Sequence, residues 1–157
     1  MRTFWLRETM LGQCGFNGVN DAKVVIVEDE FLVALQLEDI LVDRGYDVVA
    51  TLPDFASAEA VSKAPQVALV DLNLRDGPTG PLIARMLCER YNTLIIYVTA
   101  NSGQIGTPVR TAVGVIHKPF SRETIEGAVA YALDKTLSIP RPAELQPLSS
   151  DELLKAS

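Results

Sequence analysis

Glu28 and Asp29 follow the aliphatic run VVIV directly, Asp71 closes ALVD, Thr99 and Ala100 close IIYVTA, and Lys118 stands between His117 and Pro119. Each comes at the end of a stretch that belongs in a core, where an uncompensated charge is costly. Carboxylates gathered in one pocket repel, and burial raises their pKa unless a cation compensates. A hard divalent cation answers that need, since Mg²⁺ takes one or two carboxylates together with waters and phosphate oxygens. A lysine opposite acts as a point charge for phosphoryl oxygens. A threonine hydroxyl can donate to another such oxygen, and the small Ala100 leaves room beside it. The Asp71 carboxylate can itself be a nucleophile and form an aspartyl-phosphate. Phosphoryl transfer depends mainly on positioning and on neutralising charge at three oxygens, so this inventory is sufficient for it. Glu30 completes the acidic triplet but falls where a helix begins, and a carboxylate there suits the helix dipole.

The elements that must position these residues are read from periodicity. KVVIVE (23–28), DVVATL (47–52), VALVDL (67–72), TLIIYVTA (93–100) and VGVIHK (113–118) are continuous Val/Ile-rich runs, as expected of parallel strands covered on both faces. Between them, 30–45 places Val33, Leu37, Ile40, Leu41 and Arg44 at helical spacing, with Gly45 closing the helix. Segments 55–64 and 80–91 read as helices, the latter with Pro81 in its first turn. Residues 121–135 form a last helix capped by Ser121, with Ile125, Val129 and Leu133 on one face. The stretch 101–112 should hold a further helix, but Gly103, Gly106 and Pro108 weaken it. Strands alternating with helices imply a doubly wound α/β sheet with right-handed crossovers. Ligands of such sheets bind at the carboxyl ends of the strands, and the polar residues named above fall there.

The bulk composition excludes several classes. The chain has 157 residues, 48% hydrophobic and 22% charged, a size and balance that fit one domain with its own core. A net charge of −6 without a Lys/Arg cluster argues against nucleic acid or an acidic membrane surface as partner. Cys14 and Cys88 have no metal-ligand spacing and read as reduced thiols of a cytoplasmic protein, Cys88 in the core or at its boundary. A single histidine, His117, rules out multi-histidine metal sites. Residues 1–22 read as a loosely ordered arm carrying the Phe4–Trp5–Leu6 cluster, and 23–137 as the domain. The stretch 138–157 reads as a Pro-containing tail, a linker with one helical turn at a Ser149–Glu152 capping box.

VVIVEDE, ALVDLNL, YVTA and HKPF occur in that order, with Asp71 42 residues after Asp29, Thr99 28 after Asp71, and Lys118 47 after Asp71. In these motifs, and over roughly 23–135, the chain resembles the receiver domain of two-component response regulators. The resemblance implies a flavodoxin-like five-stranded parallel sheet of order 2-1-3-4-5 with helices on both faces. It makes Asp71 the phosphoacceptor, and Glu28, Asp29, Asp71 and the backbone carbonyl of Asn73 a site for Mg²⁺ or Mn²⁺. Asp29 would bind the ion directly and Glu28 through water. Thr99 and Lys118 would engage the phosphoryl group, and the Lys118–Pro119 bond would be cis. The implied partners are a sensor histidine kinase or histidine phosphotransfer protein and a downstream protein, with a homodimer possible.

The chain departs from the family pattern at three places. An aromatic switch residue usually lies three positions before the lysine; here that position is Val115. The helix expected within 101–112 is interrupted, and the loop NLRDGPTG lacks the usual proline after the acceptor. Tyr97, two residues before Thr99, shares its sheet face in a regular strand. The expected function is that of a stand-alone, non-enzymatic phosphoacceptor receiver signalling through protein interaction or relay. One alternative is a pseudo-receiver that binds partners without phosphorylation. The other is an aspartyl-phosphate phosphohydrolase, against which Asn73 stands where a second Asp would be required.

Overall fold

The Val/Ile runs enter one parallel sheet in the computed structural model, which describes residues 21–148. The strands are β1 (Lys23–Val27), β2 (Asp47–Leu52), β3 (Val67–Val70), β4 (Leu94–Thr99) and β5 (Ala112–His117), in the order β2-β1-β3-β4-β5. Every neighbouring pair is parallel. The helices are α1 (Phe31–Asp43), α2 (Phe55–Glu59), α3 (Gly80–Tyr91) and α4 (Arg122–Leu133). This is the doubly wound arrangement expected from the alternation of runs, in the flavodoxin-like order that the resemblance implied. The arm with its Phe4–Trp5–Leu6 cluster and the Ser149–Glu152 capping box lie outside the described residues.

Strand alternation divides the core in two. Val24, Ile26, Leu69, Ile96, Val98 and Ile116 pack with Leu37, Ile40 and Leu41 of α1 and Ile125, Ala128 and Val129 of α4. Val25, Val27, Val70, Ile95, Tyr97 and Val115 face the other way, against Ala58 of α2 and Ile83, Leu87 and Cys88 of α3. Both faces of the central strands are thus dry, which is why their runs are continuously apolar. Each such side chain contributes about 2 kcal/mol when fully buried.

Helix ends follow their local chemistry. Ser121 caps α4 by accepting the Thr124 N–H at 3.1 Å. Gly45 follows α1 at φ 87°, the left-handed conformation a glycine takes without cost. Pro81 sits in the first turn of α3, where its missing N–H costs nothing.

Three expectations are corrected. The 55–64 helix is shorter, ending at Glu59, because Pro65 favours an extended residue before it and Gln66 must donate its N–H to Lys23 O at 2.8 Å. Segment 101–112 holds only a 3₁₀ turn, Ser102–Gln104, followed by Gly106 at φ 65°; Ile105 and Val109 still enter the core from irregular backbone. Residues 142–148, read as linker, form a strap across the sheet edge. Leu145 is fully buried, Leu148 packs on the Tyr97–Val115 side, and Gln146 makes an antiparallel bridge to Val115. A proline-rich stretch can pack by side chains even where it cannot form a ladder.

Candidate functional site

Three adjacent strands end side by side and bring their polar residues to one edge. The Asp71 N–H donates to Val27 O at 2.9 Å, which seats the acid directly beside the end of β1. The carboxylates of Glu28, Asp29 and Asp71 each offer an oxygen within 4.8 Å of the others. Glu28 and Asp71 are buried while Asp29 is exposed, so the cluster opens to solvent on Asp29's side. All the donor atoms are hard oxygens, a set that fits a divalent cation such as Mg²⁺.

From the end of β5, Lys118 reaches back across the sheet. Its Nζ donates to Glu28 Oε2 at 2.7 Å and to Asp71 Oδ2 at 3.0 Å. Its backbone N–H donates to Thr99 O at 3.0 Å, and the Lys118–Pro119 peptide is cis. The remaining oxygens of the two buried acids are held by main chain: Asp71 Oδ1 accepts the Leu72 N–H at 2.7 Å, and Glu28 Oε1 accepts the Glu30 N–H at 3.0 Å. Glu30 itself is the extended N-cap residue just before α1. Thr99 is buried at the end of β4, where its Oγ1 accepts the Asn101 N–H at 3.2 Å. That leaves the hydroxyl hydrogen free to donate.

Burial raises the Glu28 carboxyl above its ordinary value, outweighing the hydrogen bonds from Lys118 and the Glu30 N–H that pull it down. Burial works to lower Lys118, yet the hydrogen bonds to Glu28 and Asp71 leave its ammonium raised. Both partners of one ion pair are therefore displaced upward, because Glu28 is nearly sealed from water while Lys118 is not.

Asn73 is exposed, and its side-chain Nδ2 donates to Gln104 Oε1 at 2.6 Å, joining the loop after β3 to the 3₁₀ turn. Gln104 carries no periodicity or motif that would single it out in the sequence. Gly80 was also unforeseen as a site residue. A Cβ there would collide with the Asp71 carbonyl oxygen and fall 2.6 Å from Leu72 Cα, so α3 can begin against the backbone of Asp71 only with glycine. A second loop tie joins Asp54 to Arg75, whose Nε donates at 2.7 Å. Asp76 accepts the Phe55 N–H at 3.0 Å. Hydrogen bonds from Ser57 and then Arg75 hold the Asp54 carboxyl down to about 2. Val115 is buried in register with Tyr97, whose phenol burial pushes up to about 12. His117 Nε2 lies 3.2 Å from Gln146 Oε1. Cys88 is a buried free thiol in the core, as its helical neighbours suggested.

The family model for the response regulator receiver domain matches residues 24–130. Among curated proteins, the chain is 28% identical over 115 residues to the phyllosphere-induced regulator PhyR of Methylorubrum extorquens, covering 71% of this chain and 43% of that protein. It is 26% identical over 125 residues to the aerobic respiration control protein ArcA of Escherichia coli, covering 77% of this chain and 52% of that one. The chain thus spans about half the length of these curated relatives. Among solved structures, the receiver domain of Erythrobacter litoralis PhyR superposes with a TM-score of 0.65 at 28% identity, over 72% of this chain and 90% of that domain. The receiver domain of a modulated diguanylate cyclase from Desulfovibrio desulfuricans gives 0.63 at 27% identity, over 71% and 93%. Among the described residues, no helix is long and apolar enough to cross a membrane.

Proposed function

The chain belongs to the response regulator receiver domain family, and from that premise we propose that Asp71 accepts a phosphoryl group and that residues 23–137 act as a phosphorylation-controlled interaction domain. The observation that carries this reading is Lys118 Nζ held between Glu28 Oε2 and Asp71 Oδ2 at 2.7 and 3.0 Å, with Asp29 open beside them. In the transfer, Asp71 Oδ2 attacks phosphorus, the P–N bond of a phosphohistidine breaks, and the imidazole keeps the electron pair. The donor is a sensor histidine kinase or a histidine phosphotransfer protein.

Glu28, Asp29, Asp71 and the Asn73 backbone carbonyl would hold Mg²⁺ or Mn²⁺. When bound, the ion neutralises phosphoryl oxygens that the acidic pocket would otherwise repel. Lys118 supplies the second positive charge, exchanging its Asp71 contact for a phosphoryl oxygen, while Glu28 keeps its ammonium in place. Thr99 donates its free hydroxyl hydrogen to another oxygen. The added group carries about −1.5 to −2 charges, and a signal results only where these contacts differ between two conformations. A downstream protein reads that difference or receives the phosphoryl group. The roles belong to a signalling domain, with turnover of phosphate monoesters not expected.

The test is labelling by acetyl phosphate. Wild type should become phosphorylated only with Mg²⁺ or Mn²⁺, and Asp71→Asn should stay unlabelled. Labelling of Asp71→Asn equal to wild type would assign the acceptor elsewhere. Absence of label on folded wild type, from acetyl phosphate and from histidine kinases alike, would favour the phosphorylation-independent module for which Val115 and the missing helix in 101–112 speak.

A further inference from the structure

The strap of residues 142–148 occupies the free edge of β5, and two glycines make room for it. A Cβ on Gly114 would fall 2.7 Å from Gln146 O, 2.9 Å from Leu145 Cδ1 and 3.1 Å from Leu145 Cγ, so its three nearest neighbours all belong to the strap. A Cβ on Gly127, in the middle of α4, would fall 2.9 Å from Pro142 Cγ. Glycine at both positions weakens the element that holds it, and at each the volume left free is filled by the strap. The strap docks in the manner of a ligand: Leu145 is wholly buried in the hollow over Gly114, while Ala143, Glu144, Gln146 and Pro147 around it stay exposed.

Its backbone grip is minimal. Val115 N–H donates to Gln146 O at 2.9 Å, Gln146 N–H donates to Val115 O at 2.8 Å, and the bridge is a single residue pair. Strand alternation turns the N–H and C=O of His117 to the same side, whereas Val113 lies at the bulge in β5. The turn in which the Leu145 N–H donates to Pro142 O keeps the strap from pairing with His117. Beyond Gln146 the surface is open: His117, Phe120, Glu144 and Gln146 line a pocket of about 350 Å³.

We propose that the β5 edge is a strand-addition site for an extended, proline-poor segment of a partner protein, with a Leu-like side chain in the Leu145 hollow, and that residues 142–148 are the chain's own occupant of that site. A segment that stays extended pairs with His117 as well as Val115 and so displaces the strap. The proposal stands whether or not Asp71 accepts a phosphoryl group.

The test uses the full chain without any phosphodonor. A fluorescein-labelled peptide copying residues 141–148, with Pro142→Val and Pro147→Val, is titrated against wild type, Leu145→Asp and Gln146→Pro. Amide NMR fingerprints establish the fold of each. Leu145→Asp makes burial of the anchor costly, and Gln146→Pro, at an exposed position, removes a bridge donor without touching the core. Strap release should tighten peptide binding at least tenfold over wild type, because the competent population rises. Adding Gly114→Val to the variant should abolish binding. Equal affinity for wild type and the strap-released variants would overturn the proposal. So would binding that survives Gly114→Val, or no saturable binding to any folded strap-released variant.

Discussion

Lys118 stands between two carboxylates that would otherwise face each other in a nearly dry pocket. Replacing it with methionine keeps the bulk and removes the charge. Lys118→Met should lower stability on the order of 2 kcal/mol at neutral pH, less than for a fully sealed pair because the ammonium is partly exposed. The pH sign follows from Glu28. Its folded pKa lies above the ordinary 4.5, so its contribution is fully present below that value and is lost as pH rises through the raised one. Without Lys118 the folded value climbs further, and the penalty should be largest at about pH 7.5 and shrink toward about pH 5. Thermal unfolding of both proteins across that range checks it; a penalty that grows on acidification would contradict the charge argument. Asp71, Asp29 and Lys118 were legible in the sequence because each ends an apolar run. Gln104, which binds the Asn73 side chain, was not, because the loop that carries it has no period.

Among the elements, α3 was legible to its ends, with its glycine and proline opening it at Gly80 and Pro81 and its apolar spacing intact. The reason for that glycine was not legible, since it lies in the way the intervening irregular loop folds α3 back against the backbone of Asp71. Gly80→Ala should cost about 1–3 kcal/mol through overpacking and slow acetyl phosphate labelling of Asp71, measured by denaturant unfolding and by the labelling rate. Unchanged stability and rate would mean that α3 shifts at no cost. The loop ties beside α2 carry a pH signature of their own. Asp54 titrates at about 2 when folded against an ordinary 3.8, so it stabilises above 3.8 and that gain disappears as pH falls through about 2. Asp54→Ala should therefore melt below wild type at neutral pH, with the gap closing from about pH 4 downward. A gap independent of pH would exclude the carboxylate as its source.

Across the whole molecule, the alternation of runs was enough for the sheet, its parallel sense and the side on which the site lies. The strap was missed because prolines mark the absence of a ladder and say nothing about where a buried leucine docks. At this scale the acidic cluster predicts a linkage: a cation that binds only the folded chain stabilises it by RT ln(1 + [L]/Kd), about 1.4 kcal/mol at ten times Kd. Millimolar Mg²⁺ should raise the melting temperature of wild type and leave Asp29→Asn unmoved. A rise of equal size in both would place the ion elsewhere.

The two sides of the sheet are unequally roofed. One lies under α1 and α4, two full-length helices. The other has α3, the five-residue α2, and irregular backbone around Ile105 and Val109. With a five-residue helix and one 3₁₀ turn where the opposite side has two long helices, opening motions belong first to that half. The molecule is then mechanically lopsided, a stiff half that keeps the carboxylates in register and a compliant half that can yield at small cost. Without an aromatic at position 115, compliance of that half would take the place of a rotating ring.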